Sequence, residues 1–288
     1  MQYKWLDQKI YPFAPKYFSI NRQKLHYIDE GSGETLLFVH GTPSWSFDFR
    51  HLVKALSKQY RCIAIDHIGF GLSDKPEHYN YCTLQHSKTL SNFIDYLQLK
   101  DITLIAHDFG GPIGINSAFE KPERFKRIII LNSWLWSSEN EPAFIKIKKV
   151  LRSPLLPFLY RYLNFSPRYL LPSSFGDHKL PKALLKQYTS PFANKHERNG
   201  TVAFAHSLLN DQAWFESLWE QRSKLKHLPM LLIWGMKDQF VSPSYLAKWQ
   251  KGFPHATSVQ LNTCGHFPQE EEHEKTITAI QYWLSTNP

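Results

Sequence analysis

Six short apolar runs punctuate the chain: "LLFVH" (36–40), "RCIAID" (61–66), "ITLIAH" (102–107), "RIIILNS" (127–133), "MLLIWG" (230–235) and "TSVQLN" (257–262). They are too continuously apolar for strands with one wet face, and predict a largely parallel sheet covered on both sides. Between most of them, apolar residues recur at three- and four-residue spacing, in "FDFRHLVKALSKQY", "LQHSKTLSNFIDYLQL" and "SYLAKWQKGF", and again in the final "EKTITAIQYWLS". That spacing predicts amphipathic helices flanking the sheet. Upstream, "FSINRQKLHYIDEGSG" predicts an antiparallel hairpin at the sheet edge. Strands alternating with helices give an α/β fold with right-handed crossovers.

The rhythm breaks after Ser133. Residues 137–226 contain no convincing buried strand but many Pro, Leu and aromatic residues, as in "SPLLPFLYRYLNFSPRYLLPSSFG". Short helices with proline-set ends are expected there. The chain therefore divides into a core, residues 1–136 and 227–288, and an inserted helical cap, residues 137–226. An insertion leaving the C-terminal edge of the sheet covers the edge at which open α/β sheets bind ligands.

Candidate chemistry collects at that same edge. In "AHDFG" the small residues Ala106 and Gly110 flank Asp108, as a tight strand-to-helix turn bearing a nucleophile requires. The short motif alone fits a helix-capping aspartate equally well. Two later segments tip the balance: Asp238 follows the strand "MLLIWG", and His266 follows "TSVQLN" behind a glycine. Nucleophile, acid and histidine then occur in the chain order of a hydrolase triad, each past the C-terminal end of an expected strand. In "VHGTPSWSF" the backbone N–H of Thr42, together with that of Phe109, is expected to converge above Asp108 as an oxyanion hole.

Composition narrows the alternatives. The 288-residue chain carries a net charge of +9. Residues 137–226 hold fourteen Lys/Arg against seven Asp/Glu, mostly scattered. The one dense cluster, "IKIKKVLR", alternates like the solvated face of a helix, so nucleic acid is not an expected partner. Contact of the basic, aromatic cap with an anionic membrane is the lesser reading. Three cysteines without a CxxC spacing exclude a disulfide framework or zinc site as an expectation. The first residues show no signal-peptide core, and no run approaches the roughly 18 apolar residues of a membrane span. A reducing cytoplasm is the expected compartment.

The segments "HGTPSWSF", "DHIGFGLSDKP", "HDFGG", "GMKD" and "CGHFPQEE" resemble the α/β-hydrolase superfamily, within it the haloalkane dehalogenase and epoxide hydrolase branch, over nearly the whole chain. The resemblance implies a mostly parallel central sheet with a helical cap, Asp108 as nucleophile, His266 as base and Asp238 as the acid that orients it. An acid after the later strand is similar to one dehalogenase subgroup; others place it after the preceding strand. Two positions depart from the family. The residue after the nucleophile, usually a halide-holding Trp, is Phe109, and Thr42 stands where some members have a donor Asn. Trp45, Trp134 and Trp136 are candidate pocket residues, and Trp134, Trp136, Trp214 and Trp219 are candidate replacement N–H donors.

A carboxylate nucleophile selects its reaction. Attack on a carbonyl would give a high-energy anhydride, whereas attack on a saturated carbon bearing a leaving group gives a stable alkyl ester. His266, neutral and held by Asp238, is then expected to activate water against that ester, with no metal or organic cofactor. The expected partners are a small apolar molecule and water. Halide displacement is the leading reading. Epoxide opening is the alternative, for which Tyr160, Tyr162, Tyr169 or Tyr188 would supply an acid. A ligand-binding or membrane-surface protein on a silent scaffold is the reading from another class.

Overall fold

In the computed structural model, which describes residues 3–288, the six apolar runs become six adjacent strands of one eight-stranded sheet. Strands β1 (Lys16–Ile20) and β2 (Gln23–Glu30) form the edge hairpin. It turns at Asn21 and Arg22, both at positive φ, as a two-residue turn matched to strand twist requires. Strands β3 (Thr35–Val39), β4 (Arg61–Ile65), β5 (Ile102–His107), β6 (Phe125–Leu131), β7 (Met230–Gly235) and β8 (Thr257–Leu261) follow. The spatial order is β1-β2-β4-β3-β5-β6-β7-β8, with β2 antiparallel to both neighbours and β3 through β8 parallel.

Burial explains the patterning. Strands β3, β5 and β7 are buried at every position, whereas edge strand β8 is buried only at Leu261. Along β3, Leu37 and Val39 join one apolar layer, and Leu36 and Phe38 the other. The two layers are completed by helices on opposite faces of the sheet. Val53 of α1 (Arg50–Leu56) packs in the second; Phe93 of α2 (Thr83–Tyr96) and Ile113 of α3 (Gly110–Glu120) pack in the first.

The insertion between β6 and β7 is helical, with no strand among the described residues. It comprises α4 (Pro142–Leu151), α5 (Leu156–Leu163), a π-helical turn at Ser166–Leu170, α6 (Leu171–Ser173), α7 (Lys182–Thr189), α8 (Asn199–Asn210) and α9 (Gln212–Glu220). Pro142 and Pro157 sit in the first turns of α4 and α5, where a missing N–H costs no hydrogen bond. A small apolar cluster of Phe144, Leu151, Leu156, Tyr160, Val202 and Ala205 holds α4, α5 and α8 together. The expectation that "IKIKKVLR" is a plain solvated face needs correction. Phe144, Ile147 and Leu151 turn inward on α4, which leaves Ile145 and Val150 exposed beside Lys146 and Lys149.

Helix α10 (Pro243–Gly252) joins β7 to β8, and α11 (Pro268–Glu271) and α12 (His273–Thr286) close the chain. Among the described residues no helix is long and apolar enough to cross a membrane. The three cysteines are unpaired. Strands β3 and β5 are neighbours, but the chain leaves β3 toward β4 on one side and leaves β5 toward β6 on the other. The crevice this opens at the C-terminal strand ends is where the fold places ligands.

Candidate active site

Asp108 follows β5 directly and sits at φ 52°, a left-handed conformation that costs a residue with a Cβ about 1–2 kcal/mol. The turn is packed so closely that two neighbouring positions have no room for a side chain. A Cβ on Gly110 would fall 2.0 Å from the Val39 carbonyl oxygen, and one on Gly41 would fall 2.0 Å from Asp108 Oδ1. The Ser133 hydroxyl donates to the Asp108 carbonyl at 2.5 Å. Helix α3 receives no side-chain cap hydrogen bond, so the Asp108 carboxylate is not spent as a helix cap. It accepts instead from the Thr42 N–H at 2.8 Å through Oδ1. No hydrogen bond from the Phe109 N–H reaches it among the described residues; only half of the expected donor pair is engaged in the resting geometry.

The other carboxylate oxygen, Oδ2, lies 3.4 Å from His266 Nε2. On its far side the imidazole meets Asp238, with Nδ1 and Oδ2 2.6 Å apart. Asp238 is buried, and burial alone would raise its pKa. The charge and hydrogen bond of His266 and the N–H groups of Val241 and Phe240, at 3.0 and 2.8 Å, overcome that and lower it. Burial likewise opposes a proton on His266, but Asp238 on one side and Asp108 on the other lift its pKa to about 10. The raised pKa favours the protonated ring, held between two carboxylates, for as long as Asp108 is charged. Its main chain is held as well: the His266 N–H donates to Ser174 of the insertion at 2.8 Å, and buried His107 Nε2 donates to the His266 carbonyl at 2.7 Å.

Two supporting groups were not visible in the sequence. Asn132 follows β6, and its amide donates to Asp238 Oδ2 at 2.8 Å while accepting from the Gly235 N–H at 2.8 Å. Nothing in "ILNS" pairs it with a residue a hundred positions away; only its place at a strand end marked it. His107 leads into a buried network in which Asp48 accepts from Gln269 at 2.6 Å and Tyr188 from the insertion donates to Glu270 at 2.5 Å. Burial first, then the charge of Glu270, raise the Asp48 pKa to about 7.

A cavity of about 340 Å³ lies between the strand ends and the insertion. Asp108, Phe109, Trp134 and His266 form its floor, and Leu151 and Leu208 belong to its apolar wall. Phe109 is wedged edge-on to Trp134 at 4.9 Å and stacked on Phe204 at 4.6 Å. The Trp134 indole N–H and the Thr42 hydroxyl are buried without a hydrogen-bond partner, and both residues line this cavity.

The other aromatic candidates lie elsewhere. Trp45 Nε1 donates to the Gln187 carbonyl at 3.1 Å, and Trp136 Nε1 to Glu141 at 3.2 Å. Both are core residues away from the cavity lining. Trp219 packs on Trp136 and Trp249, and Trp214 on Phe215. Of the four tyrosines, Tyr160 lines the cavity, with burial pushing its pKa to about 12. Tyr162 and Tyr169 are exposed, and Tyr188 is committed to Glu270. Among the described residues no group of three His, Cys, Asp or Glu is placed to hold a metal ion.

Residues 34–273 match the family model described as alpha/beta hydrolase fold. The chain is 32% identical over 276 residues to haloalkane dehalogenase 2 of Mycobacterium tuberculosis (strain CDC 1551 / Oshkosh), covering 95% of this chain and 96% of that one. It is 35% identical over 286 residues to a cis-3-alkyl-4-alkyloxetan-2-one decarboxylase of Shewanella oneidensis, covering 95% and 89%. Among solved structures, the haloalkane dehalogenase DatA from Agrobacterium tumefaciens C58 superposes with a TM-score of 0.86 at 24% identity, over 96% and 97% of the two chains, a likeness of fold.

Proposed function

Because this chain belongs to the α/β-hydrolase fold family and is a haloalkane dehalogenase-like hydrolase, we propose that Asp108 displaces halide from a small haloalkane and carries the alkyl group as an ester. The observation that carries this reading is the unbroken row Asp108–His266–Asp238, with the nucleophile's carboxylate facing an apolar cavity instead of capping its helix. Oδ1, held by the Thr42 N–H, stays behind as the carbonyl oxygen. Oδ2 attacks carbon, the carbon–halogen bond breaks, and halide departs with the bonding pair. Residues 137–226 act as the cap that selects the alkyl group.

Esterification then switches the histidine. With the Asp108 charge gone, one of the two carboxylates that lifted the His266 pKa is lost, and the ring releases its proton to solvent, the one net proton of the hydrolysis. Neutral His266 takes a proton from water, which attacks the Asp108 carbonyl carbon. The Thr42 N–H, joined by that of Phe109 as charge develops, holds the oxyanion; one such donor is worth about 10²–10³ in rate. Collapse passes the intermediate's hydroxyl proton to the departing alkoxide, which leaves as the alcohol, and restores the Asp108 carboxylate beside a protonated His266. The unpartnered Trp134 N–H and Thr42 hydroxyl are the donors that support halide departure in place of the indole that Phe109 lacks.

A second reading is favoured by the 35% identity to the oxetanone decarboxylase. On a β-lactone, Asp108 would open the ring at the carbon bearing the ring oxygen, leaving a tethered carboxylate. Loss of CO₂ would then form an alkene and expel Asp108, with no water consumed. Epoxide opening is less supported, since only Tyr160 of the four tyrosines reaches the cavity. A mass measurement separates these readings. His266→Gln protein incubated with a bromoalkane should gain one alkyl group on the Asp108 peptide and release one equivalent of bromide. A catalytically competent wild type whose variant never gains mass, with alkene and CO₂ formed from a β-lactone, would instead establish the second reading.

A further inference from the structure

The outer, solvent-facing side of the insertion is unlike the rest of the surface. Of the eleven exposed large hydrophobic side chains among the described residues, seven lie between positions 145 and 169, and the four outside that stretch are all tyrosines. Within it, residues 142–170 contain six Lys or Arg and no Asp or Glu. The two sets share faces. On α4, Ile145, Lys146, Lys149 and Val150 are neighbours at one- and four-residue spacing. On α5, Phe158, Arg161 and Tyr162 form the next stripe, with the two rings stacked at 5.0 Å and Leu155 just ahead of them. The π-helical turn adds Arg168 and Tyr169.

A solvated helix face carries charge without apolar bulk. Exposed Ile, Val, Leu and Phe interleaved with cations of one sign is the composition of a helix that lies in a lipid headgroup layer, apolar side chains reaching toward the acyl region and cations meeting phosphates. We propose that α4, α5 and the following turn dock on an anionic lipid surface. The same face carries the rim of the cavity: Val150 is 57% exposed and lines it, and Ile147 and Leu159 line it half-buried beneath. An apolar substrate dissolved in the bilayer thereby enters the cavity without crossing water. Charge complementarity favours lipid phosphate over a second copy of this chain, whose own face is equally basic.

Vesicle sedimentation tests this without reference to catalysis. The full chain should sediment with vesicles rich in phosphatidylglycerol, not with pure phosphatidylcholine, and salt should release it. Each Lys or Arg near an anionic leaflet is worth roughly five-fold in partitioning, so Lys146→Gln, Lys149→Gln and Arg152→Gln together should weaken binding about a hundred-fold. Leu155→Ser with Phe158→Ser should weaken it as well, both variants keeping wild-type activity on a water-soluble bromoalkane. The control set Lys54→Gln, Lys58→Gln and Lys88→Gln should bind as wild type. Absence of sedimentation, an equal loss in the control set, or self-association that the serine pair abolishes would overturn the proposal.

Discussion

The strand ends and the helices above them are built on different principles. Asp108, Asp238 and His266 are fixed by main-chain hydrogen bonds, buried charge and glycine positions that tolerate no Cβ. Helices α4 and α5 are held largely through a small cluster, Phe144, Leu151, Leu156, Tyr160, Val202 and Ala205, and turn much apolar surface outward. Reacting groups need sub-ångström placement, and a packed sheet edge supplies it. Recognition of an apolar molecule needs surface that can repack, and short proline-started helices supply that. A substitution in the first region should therefore act on rate, and one in the second on which substrate is taken.

The largest effect is expected at Asp108, the proposed nucleophile. Asp108→Asn should lower turnover on the order of 10⁴-fold or more, since members of a triad fail together. It should also shift His266. The raised pKa, about 10 against 6.5 for the free side chain, favours the folded protein fully below pH 6.5 and is lost as pH climbs through 10. Removing the Asp108 charge lowers that pKa. Imidazole resonances followed by NMR should thus titrate at lower pH in the variant, and the stability gap between the two proteins due to this group should shrink toward pH 10. An unchanged titration would mean that Asp108 does not face the ring.

Asn132→Ala comes next. It removes one hydrogen bond to a charged, buried Asp238, a loss of about 1.5–3 kcal/mol, or roughly 10–100-fold in kcat/KM if Asp238 then swings from His266. Steady-state kinetics with the melting temperature recorded in parallel separates positioning from unfolding. The smallest effect belongs to the insertion. Leu151→Ala enlarges the cavity wall and should change kcat on a short haloalkane less than about ten-fold while improving kcat/KM for longer chains, because pocket methylenes discriminate by about 1–3 kcal/mol. A loss of rate at Leu151 as large as at Asn132 would erase the distinction between the two regions.

What the sequence discloses follows the same division. The strands are legible because burial on both faces forces continuous apolar runs, and the hairpin because Asn21 and Arg22 sit between two strand patterns. The elbow is legible because its geometry leaves glycine at 110. Asn132 is not, since its partner is brought beside it only by the pairing of β6 with β7. Nor are the aromatic roles. Trp45, Trp134 and Trp136 look alike along the chain, yet two find carbonyl or carboxylate acceptors in the core and one is left with a free N–H at the cavity. On α4 the lysines of "IKIKKVLR" mask the inward stripe of Phe144, Ile147 and Leu151, and the exposure of Ile145 and Val150 depends on what the neighbouring helices leave uncovered.

The central claim is that substrate carbon bonds to Asp108 and that water later attacks the carboxyl carbon, not the substrate. A single turnover of excess enzyme with a bromoalkane in H₂¹⁸O tests it directly. The account predicts an alcohol carrying ordinary oxygen and an Asp108 peptide heavier by one ¹⁸O, because the alcohol leaves with a carboxylate oxygen and water replaces it. An ¹⁸O-labelled alcohol with an unlabelled Asp108 would contradict it, showing that water attacks the substrate and that the carboxylate never forms a bond.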